Sequence, residues 1–146
     1  MKIVFVRGSS MFPAIKTGDL LLFSTSKSTN RQFARNEIVL LKTKNSTKSL
    51  LIKRIIGLPG DNVQAKNGQI FIDGSKSIEL PINDSYLSKE IEKSWKLTKN
   101  QYFVCGDFRE YSTDSRNFGP ILFEQIVGRF PMRIWPILKI GYRKKW

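Results

Sequence analysis

The feature that most constrains this chain is a short apolar run with a lysine in its middle. Residues 50–56 read Leu-Leu-Ile-Lys-Arg-Ile-Ile, and the turn-forming segment 57–61 (Gly-Leu-Pro-Gly-Asp) follows at once. A run of this length, bounded by glycine and proline, predicts a strand rather than a helix. Because the side chains of a strand alternate between its two faces, Lys53 shares one face with Leu51 and Ile55.

Burial of that face would change the chemistry of Lys53. Loss of water around an ammonium group disfavours its charged form and lowers its pKa, by as much as roughly 3–5 units. A lysine that is neutral near pH 7 can act as a general base toward a serine hydroxyl. The alternative is that Lys53 extends its ammonium to water from an edge strand. Arg54 points to the opposite face, and there we expect it to be solvated or paired.

A serine near the N-terminus is the second candidate. The segment 8–13 (Gly-Ser-Ser-Met-Phe-Pro) follows an apolar run over 3–6 that predicts a strand. Pro13 has no backbone N–H and a fixed φ, so the strand ends and the chain turns. Ser10 then lies where a hydroxyl can be both exposed and held still. The alternative for a motif this short is an ordinary strand end with a serine.

The third candidate is the loop over 106–119, which contains three acids, two arginines and two serines. Asp–Arg pairs and hydrogen bonds from side chains to the backbone can make such a loop rigid. Ser112 and Asp114 are its candidates for orienting a lysine. The alternative is a salt-bridged surface loop without a catalytic role.

The residue types that are missing narrow the chemistry. The chain has no histidine, which excludes Ser-His-Asp and Cys-His catalysis. Its single cysteine, Cys105, excludes an internal disulfide and a cysteine-rich zinc site. We therefore expect no metal and no cofactor, and lysine is the main remaining base for a nucleophilic serine.

Helix signals are few, so the predicted fold class is mainly β. Residues 1–61 and 101–146 are predicted to form a catalytic β core, with 62–100 inserted as a smaller β-rich lobe. Within that lobe, Asn-Gly at 67–68 predicts a turn before a hairpin arm. Polar residues predict a turn over 43–49 and a long loop over 109–120.

The three motifs, in this order, resemble those of the type I signal peptidases, a family of membrane-associated serine proteases with a Ser/Lys dyad. The matching segments are 6–13, 52–61 and 106–119, and the likeness extends over about residues 4–141, weakest over 62–100. It implies a signal-peptidase-like antiparallel β core. The implied activity is removal of an N-terminal signal or leader peptide from a precursor polypeptide, by cleavage after small residues.

The resemblance also implies the roles of single residues. Ser10 is the expected nucleophile, with its backbone N–H in the oxyanion hole, and Lys53 is the expected general base. Ser112 is expected to position Lys53, while Asp114 and Arg116 hold the loop. The substrate is expected to bind as an added strand beside four residues: Arg7, Gly8, Ser9 and Ile52.

The chain departs from the family pattern in several ways. Gly8 stands where some members have a hydroxyl donor to the oxyanion, Ala14 stands where threonine is frequent, and Phe108 stands where asparagine is usual. We also expect the usual N-terminal membrane anchor to be absent, because no apolar run in the given sequence approaches the roughly 18 residues of a spanning helix and it contains no secretory signal. Short anchorless relatives include proteases assigned to the maturation of nickel superoxide dismutase, so a soluble leader is an alternative substrate.

Positive charge suggests a further partner. The net charge is +13, and the segment 129–146 holds six basic residues, four aromatic residues and no acid. Such a tail suits an anionic membrane surface, or it is simply a final strand with a basic end. A basic β domain that binds nucleic acid has charge alone in its favour and is not expected. The other rivals are a self-cleaving repressor-type Ser/Lys peptidase and an inactive relative, for which Phe108 is the warning.

Overall fold

Two antiparallel sheets form the framework of the described part of this protein. The computed structural model describes residues 1–25, 32–43, 46–76 and 92–136. The strands, numbered in chain order, are Lys2–Phe5 (β1), Leu20–Ser24 (β2), Ile38–Thr43 (β3), Ser46–Gly57 (β4), Asn62–Lys66 (β5), Gln69–Ile72 (β6), Ser75–Lys76 (β7), Lys93–Lys96 (β8), Gln101–Cys105 (β9), Ile121–Leu122 (β10) and Ile126–Trp135 (β11). The mainly β class predicted from the sequence is confirmed.

The larger sheet holds the strand that carries the lysine. Its strands lie in the order β1-β2-β11-β3-β4-β9-β10, so β4 is an inner strand between β3 and β9. Val39 of β3 is in register with Lys53, and Ile55 of β4 is in register with Val104 of β9. An inner strand shields its side chains on both flanks, which is why a lysine on β4 can be buried.

Two predicted loops are more structured than their polarity suggests. The turn predicted over 43–49 is wrong in extent, because β3 continues to Thr43 and β4 begins at Ser46. Pairing of antiparallel strands uses backbone groups, so polar side chains do not prevent it. The loop predicted over 109–120 contains a 3₁₀ turn, Arg109–Tyr111, and a short helix α1, Ser115–Phe118.

The smaller sheet has the order β7-β6-β5-β8. Asn67 and Gly68, between β5 and β6, have φ values of 51° and 71°, as a two-residue hairpin turn requires, so the predicted turn is confirmed. Trp95 of β8 packs against Phe103 of β9 with ring centroids 4.8 Å apart. The sheet lies within the predicted lobe, and its standing as a separate unit stays a prediction; residues 77–91 lie outside the described part.

The loop between β1 and β2 is held by apolar packing beneath it and by an ion pair. Met11 and Ile15 are buried in one cluster with Phe23 of β2. Arg133 of β11 lies 2.7 Å from an Asp19 carboxylate oxygen, and it also donates to the Ala14 carbonyl at 2.8 Å. The loop that carries Ser10 is therefore fastened to β11 as well as to its own two strands.

The basic segment over 129–146 is only partly described. Arg129 pairs with Glu37, with Nη2 2.8 Å from Oε2, and Arg133 pairs with Asp19. Trp135 is exposed, and residues 137–146 lie outside the described part. In the part that can be described, none of the helices has the length and apolar character needed to cross a membrane.

Candidate active site

Ser10 lies in the loop after β1, where it is half-buried. Its carbonyl oxygen accepts a hydrogen bond from the backbone N–H of Phe108 at 2.9 Å. This bond joins the loop of Ser10 to the loop over 106–119. Within residues 1–25, 32–43, 46–76 and 92–136, no protein acceptor takes the N–H of Ser10, so this donor can point toward a substrate.

Lys53 is buried on β4, with 2% of its surface exposed. An ammonium extended to water from an edge strand is therefore not what the structure contains. The amine nitrogen Nζ donates to Ser112 Oγ at 3.0 Å. The apolar neighbours predicted from alternation are present, since Leu51 and Ile55 pack in the same cluster as Val39, the register partner of Lys53.

Burial lowers the pKa of Lys53 below its ordinary value of 10.5. The carboxylate of Asp114 acts in the opposite direction because it favours the charged ammonium, and Cys105 and Asp107 add smaller effects of the same sign. Desolvation outweighs them. At a given pH, a larger fraction of Lys53 is therefore in the neutral amine form than for a lysine in water. The neutral amine is the form that can accept a proton.

Ser112 connects the lysine to a carboxylate. Its hydroxyl donates to Asp114 Oδ2 at 2.7 Å. A hydroxyl has one hydrogen, so toward Lys53 the Ser112 oxygen can only accept. The direction of both hydrogen bonds is therefore determined: Lys53 donates to Ser112, and Ser112 donates to Asp114.

Asp114 is fully buried and organises its loop. Burial alone would raise the pKa of this carboxyl, but hydrogen bonds and charge from Arg116, with further bonds from Ser112 and the Gly106 N–H, hold it below the ordinary 3.8. Arg116 Nε lies 2.9 Å from Asp114 Oδ1, and Arg116 Nη2 also donates to the Arg109 carbonyl at 2.7 Å. Asp114 is thus an ionised acceptor, and Arg116 ties both ends of the loop to it.

Gly106, the first residue of the loop over 106–119, lies between the Ser10 carbonyl and the Ser112 side chain. The sequence predicts no role for it. A Cβ atom at this position would lie 2.5 Å from the Ser10 carbonyl oxygen and closer still to Ser112 Oγ. No side chain fits there, so this glycine allows Ser10 and Ser112 to approach the same point. The signal in the sequence is a glycine directly after the apolar run 102–105.

Arg54, the neighbour of Lys53, is paired rather than solvated. Its guanidinium binds Asp107 with two hydrogen bonds, Nε to Oδ1 at 2.8 Å and Nη2 to Oδ2 at 2.6 Å. A third bond goes to the Asn36 carbonyl at 2.8 Å. Because Asp107 opens the loop over 106–119, this buried pair fastens the loop to β4.

The four predicted substrate-binding residues are at least partly accessible. Arg7, Gly8 and Ser9 are exposed in the loop that follows β1, and Ile52 is partly buried on β4. Gly8 has a φ of 96°, and among the described residues, its two chain neighbours aside, no atom lies within 4 Å of a Cβ built on it. The described structure thus leaves room beside Gly8, and the role of the four residues in binding stays a prediction.

Known proteins resemble this chain in sequence and in fold. Residues 1–135 match the family model for signal peptidase, peptidase S26. The chain is 35% identical over 135 residues to signal peptidase I V of Bacillus subtilis strain 168, covering 84% of this chain and 79% of the relative. It is 32% identical to signal peptidase IB of Staphylococcus aureus strain MRSA252, covering 94% and 79%. A signal peptidase I crystal structure from Enterococcus faecalis V583 has the same fold, with a TM-score of 0.56 at 22% identity over 68% of this chain and 97% of that one.

Proposed function

The chain belongs to the signal peptidase family, peptidase S26, and from this membership we propose that Ser10 and Lys53 are its nucleophile and general base. It is a serine endopeptidase that removes signal peptides from precursor polypeptides. The chain has no histidine that could take the place of Lys53 as base in that reaction.

The observation that carries the proposal is the buried hydrogen bond from Lys53 to Ser112. Ser112 gives its only hydrogen to Asp114, so it holds Lys53 through one N–H of the amine. In the neutral amine the lone pair then remains available to accept a proton. Burial lowers the pKa of Lys53, which favours that neutral form.

The proposed reaction has two halves. In the first, Lys53 takes the proton of Ser10 as Oγ attacks the carbonyl carbon of the residue before the cleavage point. The negative charge that develops on the carbonyl oxygen is stabilised by the Ser10 N–H. The C–N bond then breaks, and the ammonium of Lys53 returns its proton to the leaving amine. In the second, Lys53 takes a proton from water as the water oxygen attacks the ester carbon, the ester bond from that carbon to Ser10 Oγ breaks, and Lys53 returns the proton to Oγ.

The leader is proposed to bind as an added strand, with small residues one and three positions before the cleavage point. Two observations support this. Arg7, Gly8 and Ser9 are exposed beside the nucleophile, and Ile52 lies partly exposed next to the general base in the chain. Small side chains fit shallow apolar sites, whereas a larger one would hold the carbonyl away from Ser10.

A membrane surface is proposed as a second partner through the basic aromatic segment. Arg129 and Arg133 already bind carboxylates within the fold, so attraction to anionic lipid must come from the other basic residues of the segment. Those residues are Lys139, Arg143, Lys144 and Lys145. A soluble leader, as in nickel superoxide dismutase maturation, is the alternative that a cleavage experiment distinguishes.

The test is cleavage of two sets of leader-bearing peptides by wild type, Ser10→Ala and Lys53→Met, followed by mass spectrometry. One set comes from secretory precursors and is presented with anionic vesicles; the other comes from soluble leaders without lipid. Lys42→Met, on an exposed lysine of β3, is the matched control. Loss of cleavage in both active-site variants and not in Lys42→Met is expected, and the set that is cut identifies the substrate. Cleavage that persists in Ser10→Ala would refute the mechanism.

A further inference from the structure

Three aromatic side chains form a cluster beside the proposed nucleophile. The rings of Phe12 and Phe108 have centroids 6.0 Å apart, and those of Phe108 and Tyr111 are 4.8 Å apart. Phe12 is 46% exposed and Tyr111 is 62% exposed, while Phe108 is half-buried between them. We refer to these three residues as the aromatic cluster.

The cluster is held firmly to Ser10. The backbone N–H of Phe108 donates to the Ser10 carbonyl at 2.9 Å, and Phe12 lies two residues after Ser10 in the same loop. Asp107, which precedes Phe108, is fixed by Arg54 through two buried hydrogen bonds. The rings therefore present their exposed faces at a constant place relative to the nucleophile.

Exposed apolar surface next to a reactive group suits contact with a ligand. Aromatic rings supply large contact area and lose little conformational freedom when a second apolar group packs on them. A cluster that only stabilised the fold would bury its rings, yet Phe12 and Tyr111 are both exposed. The ligand already brought to Ser10 is the precursor polypeptide.

The loop over 106–119 indicates which part of the precursor reaches the cluster. It carries Phe108 and Tyr111, and the next residue, Ser112, accepts the hydrogen bond of the Lys53 amine at 3.0 Å. In the proposed reaction this amine returns its proton to the leaving amine, so the leaving half of the precursor lies on the side of Lys53 and of this loop. The cluster is therefore assigned to the residues that follow the cleavage point.

We propose that Phe12, Phe108 and Tyr111 bind an aromatic or large aliphatic side chain within the first two residues after the cleavage point. The cluster is thus a specificity site for the N-terminus of the mature product. The inference rests on the proposed function, because it uses Ser10 as the point of attack. Its ligand class follows from the cluster itself, because Phe108 packs against both Phe12 and Tyr111 and the three rings offer apolar area.

The test uses two peptides with the same leader half and small residues at the required positions. One has phenylalanine as the first residue after the cleavage point, and the other has serine there. Wild type is expected to cleave the phenylalanine peptide with a kcat/KM about tenfold higher, as partial burial of one aromatic side chain implies. Phe108→Asn and the more exposed Tyr111→Ser are expected to bring this ratio close to one. Phe118→Ser, on an exposed phenylalanine of α1 outside the cluster, is the matched control and should keep the wild-type ratio.

The outcomes separate this inference from the proposed function. Equal cleavage of both peptides by wild type overturns the cluster site and leaves the protease mechanism standing. A ratio that falls equally in Phe118→Ser also overturns it.

If neither peptide is cut, binding of the two labelled peptides to Ser10→Ala and to Ser10→Ala with Phe108→Asn decides the question. Tighter binding of the phenylalanine peptide that is lost in the double variant supports the site, whereas equal binding refutes it. A ratio that changes only when anionic vesicles are added assigns the rings to a lipid surface and overturns it as well.

Discussion

The amine of Lys53 lies 3.0 Å from the hydroxyl oxygen of Ser112, although the two residues are 59 positions apart in the chain. Pairing of β4 with β9 brings them together, since Arg54 is in register with Cys105 and the loop of Ser112 begins directly after it. The contact thus depends on the sheet and not on any local segment.

Removal of the Ser112 hydroxyl is expected to lower the rate of catalysis. In Ser112→Ala the amine of Lys53 loses its acceptor and is free to turn from its working position, a misplacement that typically costs about a hundredfold in rate. We expect kcat to fall by about that factor with KM little changed, as measured by steady-state peptide cleavage. Thr113→Ala, at the exposed neighbouring position, should behave as wild type. An increase in KM at unchanged kcat would contradict a positioning role.

Replacement of Lys53 by methionine is expected to change how stability depends on pH. The pKa of Lys53 is lowered in the folded chain and has its ordinary value of 10.5 in the unfolded chain. Between these two values the unfolded chain binds more protons, so the contribution of Lys53 to stability rises with pH over that range. The Tm of Lys53→Met should therefore exceed the Tm of wild type by more at pH 7 than at pH 10.

Thermal unfolding followed by circular dichroism at both pH values measures this difference directly. Lys42→Met, which changes an exposed lysine on β3, serves as the control and should shift Tm by a similar small amount at both. A Tm difference for Lys53→Met that is the same at pH 7 and pH 10 would argue against a lowered pKa.

Gly106→Ala is expected to lower kcat by more than the loss of folded protein explains. The new Cβ would meet the Ser10 carbonyl at 2.5 Å and the Ser112 side chain, so the loops of the two serines must move apart. Overpacking of this kind costs about 1–3 kcal/mol of folding free energy. Gly128→Ala is the matched control, because its Cβ would meet Phe23 and Leu40 in the core, at 3.0 and 3.2 Å.

Urea denaturation and kcat measured on the folded fraction separate the two effects. Gly106→Ala should lose at least tenfold in kcat beyond what unfolding explains, whereas Gly128→Ala should lose stability alone. If both variants keep wild-type kcat, the close approach of the two loops is not needed for catalysis.

The contributions of the buried pair Arg54 and Asp107 to the free energy of unfolding are expected to be coupled. Removing one partner leaves the other charge buried without its counter-ion, which costs about 3–5 kcal/mol. Arg54→Met and Asp107→Leu should each destabilise by that amount in urea denaturation, and the double variant should be more stable than either single one. Simple addition of the two losses would show that the residues act independently. The Arg35–Asp61 pair, which is more exposed, offers a comparison and should cost less than about 1 kcal/mol.

Local rules account for the part of the molecule that could be predicted from the sequence. Alternation along β4 places Leu51 and Ile55 with Lys53, and the structure has them in that arrangement. The Asn67-Gly68 turn follows from backbone preferences of those two residues. The polar residues over 43–49 predict a turn and therefore a β4 that is too short. Side-chain polarity does not determine whether the backbone groups of a segment pair with a neighbouring strand.

The amino-acid sequence by itself determined the chemistry available to this protein: a serine at a strand end, a lysine within an apolar strand, and no histidine to serve as base. These depend on composition and on short-range periodicity. Only the tertiary structure decided that Lys53 donates to Ser112, that Gly106 leaves no room between the loops of the two serines, and that Phe108 packs between Phe12 and Tyr111. Each of these contacts joins or shapes separate loops, and their approach depends on how the strands pair and how tightly the side chains between them pack.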